Sequence, residues 1–199
     1  MSTVAIIDSG GANIASLRAA LQRLGADSVV TTDHATIQRA PRVLLPGVGS
    51  AHNAMARLRS EGLDQLIPTL KQPLLGICLG MQLLFDRSDE GPANCLGVIR
   101  GSIGKLQSEP GKPVPHMGWN QMTQVREDPL LDGISSLDYV YFVHSFAAPT
   151  SSATVAITDY GMALTAVARR DNFCGTQFHP ERSGPVGARI LANFLKEGA

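Results

Sequence analysis

The chain of 199 residues carries 17 lysines and arginines against 17 aspartates and glutamates, with 44% hydrophobic residues and 20 glycines. This length accommodates one domain with a sizeable core, so a single domain is expected over residues 1–199. Balanced charge offers no electrostatic footprint for nucleic acid or an anionic membrane, and the hydrophobic content excludes a disordered chain, leaving a small substrate as the expectation.

The amino terminus, MSTVAIIDSGG, lacks the basic segment, long apolar run and small-residue cleavage site of a secretory signal. No stretch approaches the ~18 apolar residues of a membrane-spanning helix, so a cytoplasmic location is expected. Residues 4–8 (VAIID) read as a buried strand closed by Ser9-Gly10-Gly11, after which Ile14, Leu17, Leu21 and Leu24 recur at helical spacing until Gly25. A second strand is expected over 28–32 and a third over 42–46 (RVLLP), the latter closed by Gly47-Val48-Gly49 and followed by a helix over 51–59. Residues 73–77 repeat the pattern as a strand, with a helix over 79–86. Short apolar strands alternating with helices imply a parallel sheet covered on both faces.

Beyond Ser88 glycine and proline become frequent and helical periodicity disappears. Strands are expected over 99–106, 121–125, 139–144, 154–158, 162–169 and 174–178, the last two forming a hairpin around Arg170-Asp171-Asn172. Residues 186–196 read as a closing helix with Val186, Ile190 and Phe194 on one face. The fold class is therefore α/β, with a mixed, mainly parallel central sheet flanked by helices.

Three cysteines, Cys78, Cys95 and Cys174, stand at unrelated spacings, which argues against a disulfide framework and against a zinc cluster. Cys78 lies between Gly76 and Gly80, where a strand meets a helix, the pattern of a nucleophile elbow. There the amino end of the helix favours a thiolate. Taken alone, these residues fit a buried structural cysteine equally well.

A nucleophilic cysteine needs a base and something to orient it. His179-Pro180-Glu181 supplies both, because Pro180 places His179 at the end of a strand and Glu181 follows within reach of the imidazole. In open parallel sheets reacting groups gather at the carboxyl ends of strands, where both Cys78 and His179 fall. His34 and His52 read as exposed, and His116 and His144 lie near strand or loop junctions with no carboxylate two residues on. The Leu79 amide directly after the nucleophile can serve an oxyanion, and Pro46-Gly47-Val48-Gly49 can bring a second donor or be an ordinary turn. Ser9-Gly10-Gly11 lacks the spacing and lysine of a phosphate loop, so no nucleotide is expected there, and neither a cofactor nor a metal is expected elsewhere.

Together, Gly-Ile-Cys-Leu-Gly-Met-Gln-Leu-Leu at 76–84 and His-Pro-Glu at 179–181 resemble the signatures of class I, or triad, glutamine amidotransferases. Pro46 to Ser50, Pro115-His116-Met117-Gly118-Trp119-Asn120, Tyr141 to Phe146 and the opening Asp8 to Asn13 are similar to the glutaminase subunits of imidazole glycerol phosphate synthases. Ala51 and Ser9 depart from the bulkier residues usual there. The resemblance implies hydrolysis of L-glutamine by Cys78, His179 and Glu181. It also implies an oxyanion held by amides of Leu79 and the Val48 region, and glutamine bound with help from Gly47, Gln82, Ser145 and Phe146. The ammonia would pass to a (β/α)8-barrel cyclase on a separate chain. Asn13, Arg182 and Ser183 are candidates for the partner face, and the 46–49 loop is expected to hold glutaminase activity low until that partner binds.

Overall fold

Residues 3–10 and 14–197 are described by the computed structural model; Gly11, Ala12 and Asn13, the last a candidate for the partner face, lie outside the described residues. The first half alternates β1 (Val4–Ile7), α1 (Ile14–Arg23), β2 (Ser28–Thr31), α2 (His34–Arg39), β3 (Val43–Gly47), α3 (Ala51–Ser60), α4 (Leu63–Leu66), β4 (Leu74–Cys78) and α5 (Leu79–Leu83). Strands then follow one another as β5 (Phe85–Ser88), β6 (Ala93–Asn94), β7 (Ile99–Lys105), β8 (His116–Gln121), β9 (Thr123–Gln124), β10 (Tyr139–His144) and β11 (Phe146–Ala147). The chain closes with β12 (Thr154–Asp159), β13 (Ala163–Arg170), β14 (Phe173–Thr176) and α6 (Gly184–Lys196).

An eight-stranded sheet in the order β2-β1-β3-β4-β14-β13-β12-β9 forms the centre. Its pairings are parallel from β2 through β14 and antiparallel from β14 to β9. The unbroken apolar character of the parallel strands follows from alternation, which sends successive side chains to opposite faces that are both covered. Val4, Ile6, Leu44, Leu75 and Ile77 pack with α1 and α6, while Ala5, Ile7, Val43, Leu45 and Leu74 pack with α2 and α3. Two of the flanking helices, α2 and α3, start where the sequence supplies caps: Asp33 accepts from the Thr36 amide at 2.7 Å, and Ser50 from the Asn53 amide at 3.3 Å. Arg42 donates from Nε to the Phe194 carbonyl at 3.1 Å, satisfying an acceptor at the end of α6.

Two smaller sheets lie beside the carboxyl ends of the parallel strands: a ribbon of β8 and β10, and a four-stranded sheet ordered β11-β7-β5-β6. The helix expected over 79–86 stops at Leu83, and Phe85–Ser88 is a strand parallel to β7. Every residue of α5 is buried, so the run carries no polar period by which helix and strand could be told apart. The strand expected over 121–125 is two strands, β8 ending at Gln121 and β9 covering Thr123–Gln124, with buried Met122 between them. β8 is defined by its distant partner β10 rather than by its own half-polar pattern. Among the described residues no helix is long and apolar enough to cross a membrane.

Candidate active site

Cys78 ends β4 and caps α5 with φ 54° and ψ −109°, a left-handed conformation that non-glycine residues adopt only where their surroundings force it. Glycines on β4, on β14 and in α5 itself create that constraint by letting α5 lie directly on the sheet. A Cβ on Gly80 would stand 1.7 Å from the Leu45 carbonyl oxygen, and one on Gly76 2.6 Å from the Gly80 oxygen. On β14, a Cβ at Gly175 would stand 2.4 Å from Cγ of Met81. Gly76 and Gly80 therefore flank the cysteine because the elbow is an interlock of helix and sheet backbones.

β14 lies next to β4 in parallel register, with Thr176 beside Ile77, so the chain leaving β14 brings His179 to the same end of the sheet as Cys78. The His179 amide donates to the Tyr141 carbonyl at 3.0 Å, and a single 3-10 turn over Pro180–Arg182 folds Glu181 back. His179 Nδ1 and Glu181 Oε1 are 2.7 Å apart, with side chains 6% and 1% exposed. Cys78, at the same end of the sheet and on the same cleft, is the other group acting on the His179 ring. A carboxylate only accepts, so Nδ1 carries the proton and Nε2 is the nitrogen left for the sulfur. Burial pushes the His179 imidazole down, but Cys78 and Glu181 lift it further, to about 10. The imidazolium is therefore favoured at neutral pH.

A cleft of about 360 Å³ opens over the pair and is bordered by Cys78, His179 and all six residues expected to bind glutamine, Gly47, Val48, Leu79, Gln82, Ser145 and Phe146. Glu181 lies behind His179, away from this cleft. Gln82 is 3% exposed, and its Nε2 donates to the Phe146 carbonyl at 2.8 Å and to Gln177 Oε1 at 3.0 Å, so that nitrogen is committed to the protein. Ser183, expected at the partner face, is 1% exposed. Its hydroxyl donates to the His179 carbonyl at 2.7 Å and accepts from the Tyr141 amide at 2.9 Å, fastening the turn that carries the histidine. Arg182 remains exposed, its guanidinium 4.6 Å from the Tyr141 ring centre.

Three residues at the site escape the sequence patterns: Glu90 and His144, which border the cleft, and Gln177, whose Nε2 lies 3.7 Å from Cys78 Sγ. Glu90 is the one carboxylate among the described residues lining the cleft; burial raises it, and the Ala51 amide donating at 3.1 Å opposes that rise. His144 Nδ1 faces the Phe146 carbonyl at 2.9 Å and must donate, leaving Nε2 to accept from His116 Nδ1 at 3.0 Å. His116 is stacked between Phe142 and Tyr160, with ring centres 4.7 and 4.0 Å away.

Burial lowers His116 to about 4 and, with help from the neighbouring His116 and His179 charges, His144 to about 3, against an ordinary 6.5. Between these limits the unfolded chain binds protons that the folded chain refuses. Their contribution to stability is therefore complete above pH 6.5 and is lost as pH falls towards 4 and 3. Denaturant unfolding followed from pH 6.5 to about 4.5 is expected to lose up to about 1.4 kcal/mol per pH unit for each histidine. The double variant His116→Gln/His144→Gln, whatever its absolute stability, is expected to flatten that limb. An unchanged slope would show that the pair is not held neutral.

A cysteine at a strained elbow, sharing a cleft with an imidazole that a buried carboxylate orients, defines a cysteine hydrolase built on an α/β sheet. The family model "Glutamine amidotransferase class-I" matches residues 5–197, and the chain belongs to that family. It is 52% identical over 196 residues to "Imidazole glycerol phosphate synthase subunit HisH" of Xanthomonas euvesicatoria, covering 98% of each chain. It is 50% identical over 199 residues to the protein of that name from Xylella fastidiosa strain Temecula1, covering 100% of both. Solved structures share the fold: a glutamine amidotransferase matches at TM-score 0.74 with 17% identity over 96% of each chain. Another, from Thermotoga maritima, matches at 0.68 with 15% identity over 98% of this chain and 96% of that one.

Proposed function

We propose that this chain is the glutaminase subunit of an imidazole glycerol phosphate synthase of histidine biosynthesis, hydrolysing L-glutamine and passing ammonia to a cyclase subunit. The observation that carries this reading is the meeting of Cys78, His179 and Leu79 on one cleft, in a chain 52% identical to a HisH subunit. Cys78 Sγ attacks the side-chain amide carbon of glutamine, and the oxyanion is held by the Leu79 amide and a second amide near Val48. Collapse breaks the carbon–nitrogen bond, and His179 gives its proton to the departing ammonia. Water, deprotonated by His179, then attacks the thioester, glutamate leaves, and the sulfur is restored. Glu181 holds the imidazole in the orientation both steps need. Glu90 complements the α-ammonium of glutamine, with Gly47, Gln82, Ser145 and Phe146 around the rest of the substrate.

The cyclase is proposed to be a (β/α)8 barrel on its own chain, consuming ammonia to form imidazole glycerol phosphate and an aminoimidazole carboxamide ribotide. Met117, Trp119 and Tyr139 on the β8–β10 ribbon are 66%, 55% and 51% exposed, an apolar surface suited to a partner. β10 continues from that surface to Val143 and His144 on the cleft, which ties the docking face to the chemistry. The base of the oxyanion loop is pinned by Ser9 Oγ donating to the Pro46 carbonyl at 2.6 Å, while Gly49 sits at φ +89°. Peptide reorientation between Gly47 and Gly49 is therefore the step through which the partner switches the site on.

Mixing the chain with a candidate barrel cyclase tests the function. Glutamine is expected to replace ammonium as nitrogen donor only in the mixture, and continued dependence on ammonium would overturn the reading. Glutamine turnover is expected to rise at least about fivefold when the cyclase and its ligand are added, the lower end of ordinary allosteric coupling. Equal rates with and without the partner would remove the loop switch.

A further inference from the structure

We infer that Gln177 is a catalytic residue: a fixed N–H donor to the Cys78 sulfur, approaching from the protein interior opposite the substrate. Gln177 is 0% exposed, and its Nε2 lies 3.7 Å from Cys78 Sγ. Hydrogen-bonding logic fixes which end of the amide faces the sulfur. The Phe146 carbonyl can only accept, so Gln82 must present Nε2 to it, at 2.8 Å. The same Gln82 nitrogen lies 3.0 Å from the Gln177 side chain, which must therefore answer with Oε1. Turning the Gln177 amide over would set two donors against each other and an oxygen against the sulfur. The carbonyl of Phe146 also accepts from His144 Nδ1 at 2.9 Å, and the backbone N–H of Gln177 donates to the Ala166 carbonyl at 2.8 Å, which holds the main chain that carries this side chain.

A donor at that place favours negative charge on sulfur whenever it appears: in the thiolate that attacks the amide and when the thioester gives the sulfur back as leaving group. His179 serves the same atom from another direction and moves its proton during turnover, whereas the Gln177 amide cannot ionise. The sulfur thus keeps one permanent donor while the histidine is occupied with ammonia or water. The titratable groups around it are His179 with Glu181 behind, and His144 and Glu90 on the same cleft.

This inference rests on Cys78 being the nucleophile of the proposed glutaminase, and labelling of the unmodified chain at Cys78 by a glutamine-mimicking electrophile tests that assignment separately. The experiment compares iodoacetamide alkylation of Cys78, located by mass, across pH in the parent chain, Gln177→Glu and Gln177→Met. Alongside it, kcat and KM for glutamine are measured in the complex with the cyclase. Gln177→Glu keeps the side-chain shape and an acceptor for Gln82 but sets an ionisable oxygen in place of the N–H donor, and Gln177→Met removes the donor without adding a charge. Alkylation at pH 7 is expected to fall about ten- to hundredfold in both variants, the weight of one hydrogen bond to a charged group, with the profile displaced to higher pH. In the complex, kcat is expected to fall by a similar factor with KM within about twofold, because the amide touches sulfur and not substrate. A lower melting temperature with an undisplaced alkylation profile, in whichever variant folds, would reduce Gln177 to a packing residue and overturn the inference.

Discussion

Replacing Cys78 with alanine or glycine is expected to cut glutamine hydrolysis by at least about ten-thousandfold, the scale at which loss of the nucleophile silences a triad that acts as a unit. Ammonium-dependent synthesis by the complex with the cyclase is expected to survive, since nothing on the cyclase has changed. The two variants should differ in stability, and in the unusual direction. Glycine ordinarily costs about 0.5–1 kcal/mol relative to alanine, because the unfolded chain gains freedom. At residue 78 the backbone holds φ 54° and ψ −109°, where a Cβ costs on the order of 1–3 kcal/mol. Cys78→Gly is therefore expected to be more stable than Cys78→Ala by about 1 kcal/mol, or about 2–4 °C in melting temperature for a chain of this size. Thermal unfolding of the two inactive variants measures the strain stored at the elbow. An alanine variant that melts at or above the glycine variant would show none, and retained hydrolysis in either would remove Cys78 from the chemistry.

The parallel half of the fold was legible because its strands are short, mostly apolar runs, β1 and β3 ending in glycine turns, and α1 and α3 carry a polar face. Cys78 and His179 were legible for the same reason: both stand where such a run stops, and strand ends on one side of a parallel sheet meet. What escaped is settled by pairing across the fold. Gln177 is informative only through Gln82, 95 residues earlier, and His144 only through His116, 28 residues away. Each reads locally as an unremarkable polar residue. The boundary between α5 and β5 was lost because complete burial erases the period that separates helix from strand. Ser183 sits beside the triad motif, as a partner-facing residue should, yet its hydroxyl has two backbone partners in the turn that presents His179.

Gly80→Ala tests whether the glycines around the nucleophile are there for flexibility or for contact. The added Cβ would lie 1.7 Å from the Leu45 oxygen and 2.8 Å from its carbon, both backbone atoms of β3, which is held between β1 and β4. No rotamer change relieves such a contact, so α5 must lift from the sheet or β3 must move. Lifting α5 gives up the close packing of its fully buried residues on the sheet, which the glycines at 76 and 175 allow. Overpacking against side chains costs about 1–3 kcal/mol, and a collision with backbone atoms puts this case at the upper end or beyond, about 3 kcal/mol or more. Out of a total stability of roughly 5–15 kcal/mol that is a large share, and it corresponds to a melting temperature lowered by about 6–12 °C. Gly104→Ala is the matching control, since a Cβ there meets nothing within 4 Å, and it is expected to stay within about 0.5 kcal/mol of the parent. Because Gly80 follows Cys78 and Leu79 directly, the fraction of Gly80→Ala that remains folded should also turn over glutamine slowly, its sulfur and oxyanion amide displaced together. A variant as stable and as active as the Gly104→Ala control would mean that α5 rides above the sheet, and that the glycines mark a hinge instead of an interlock.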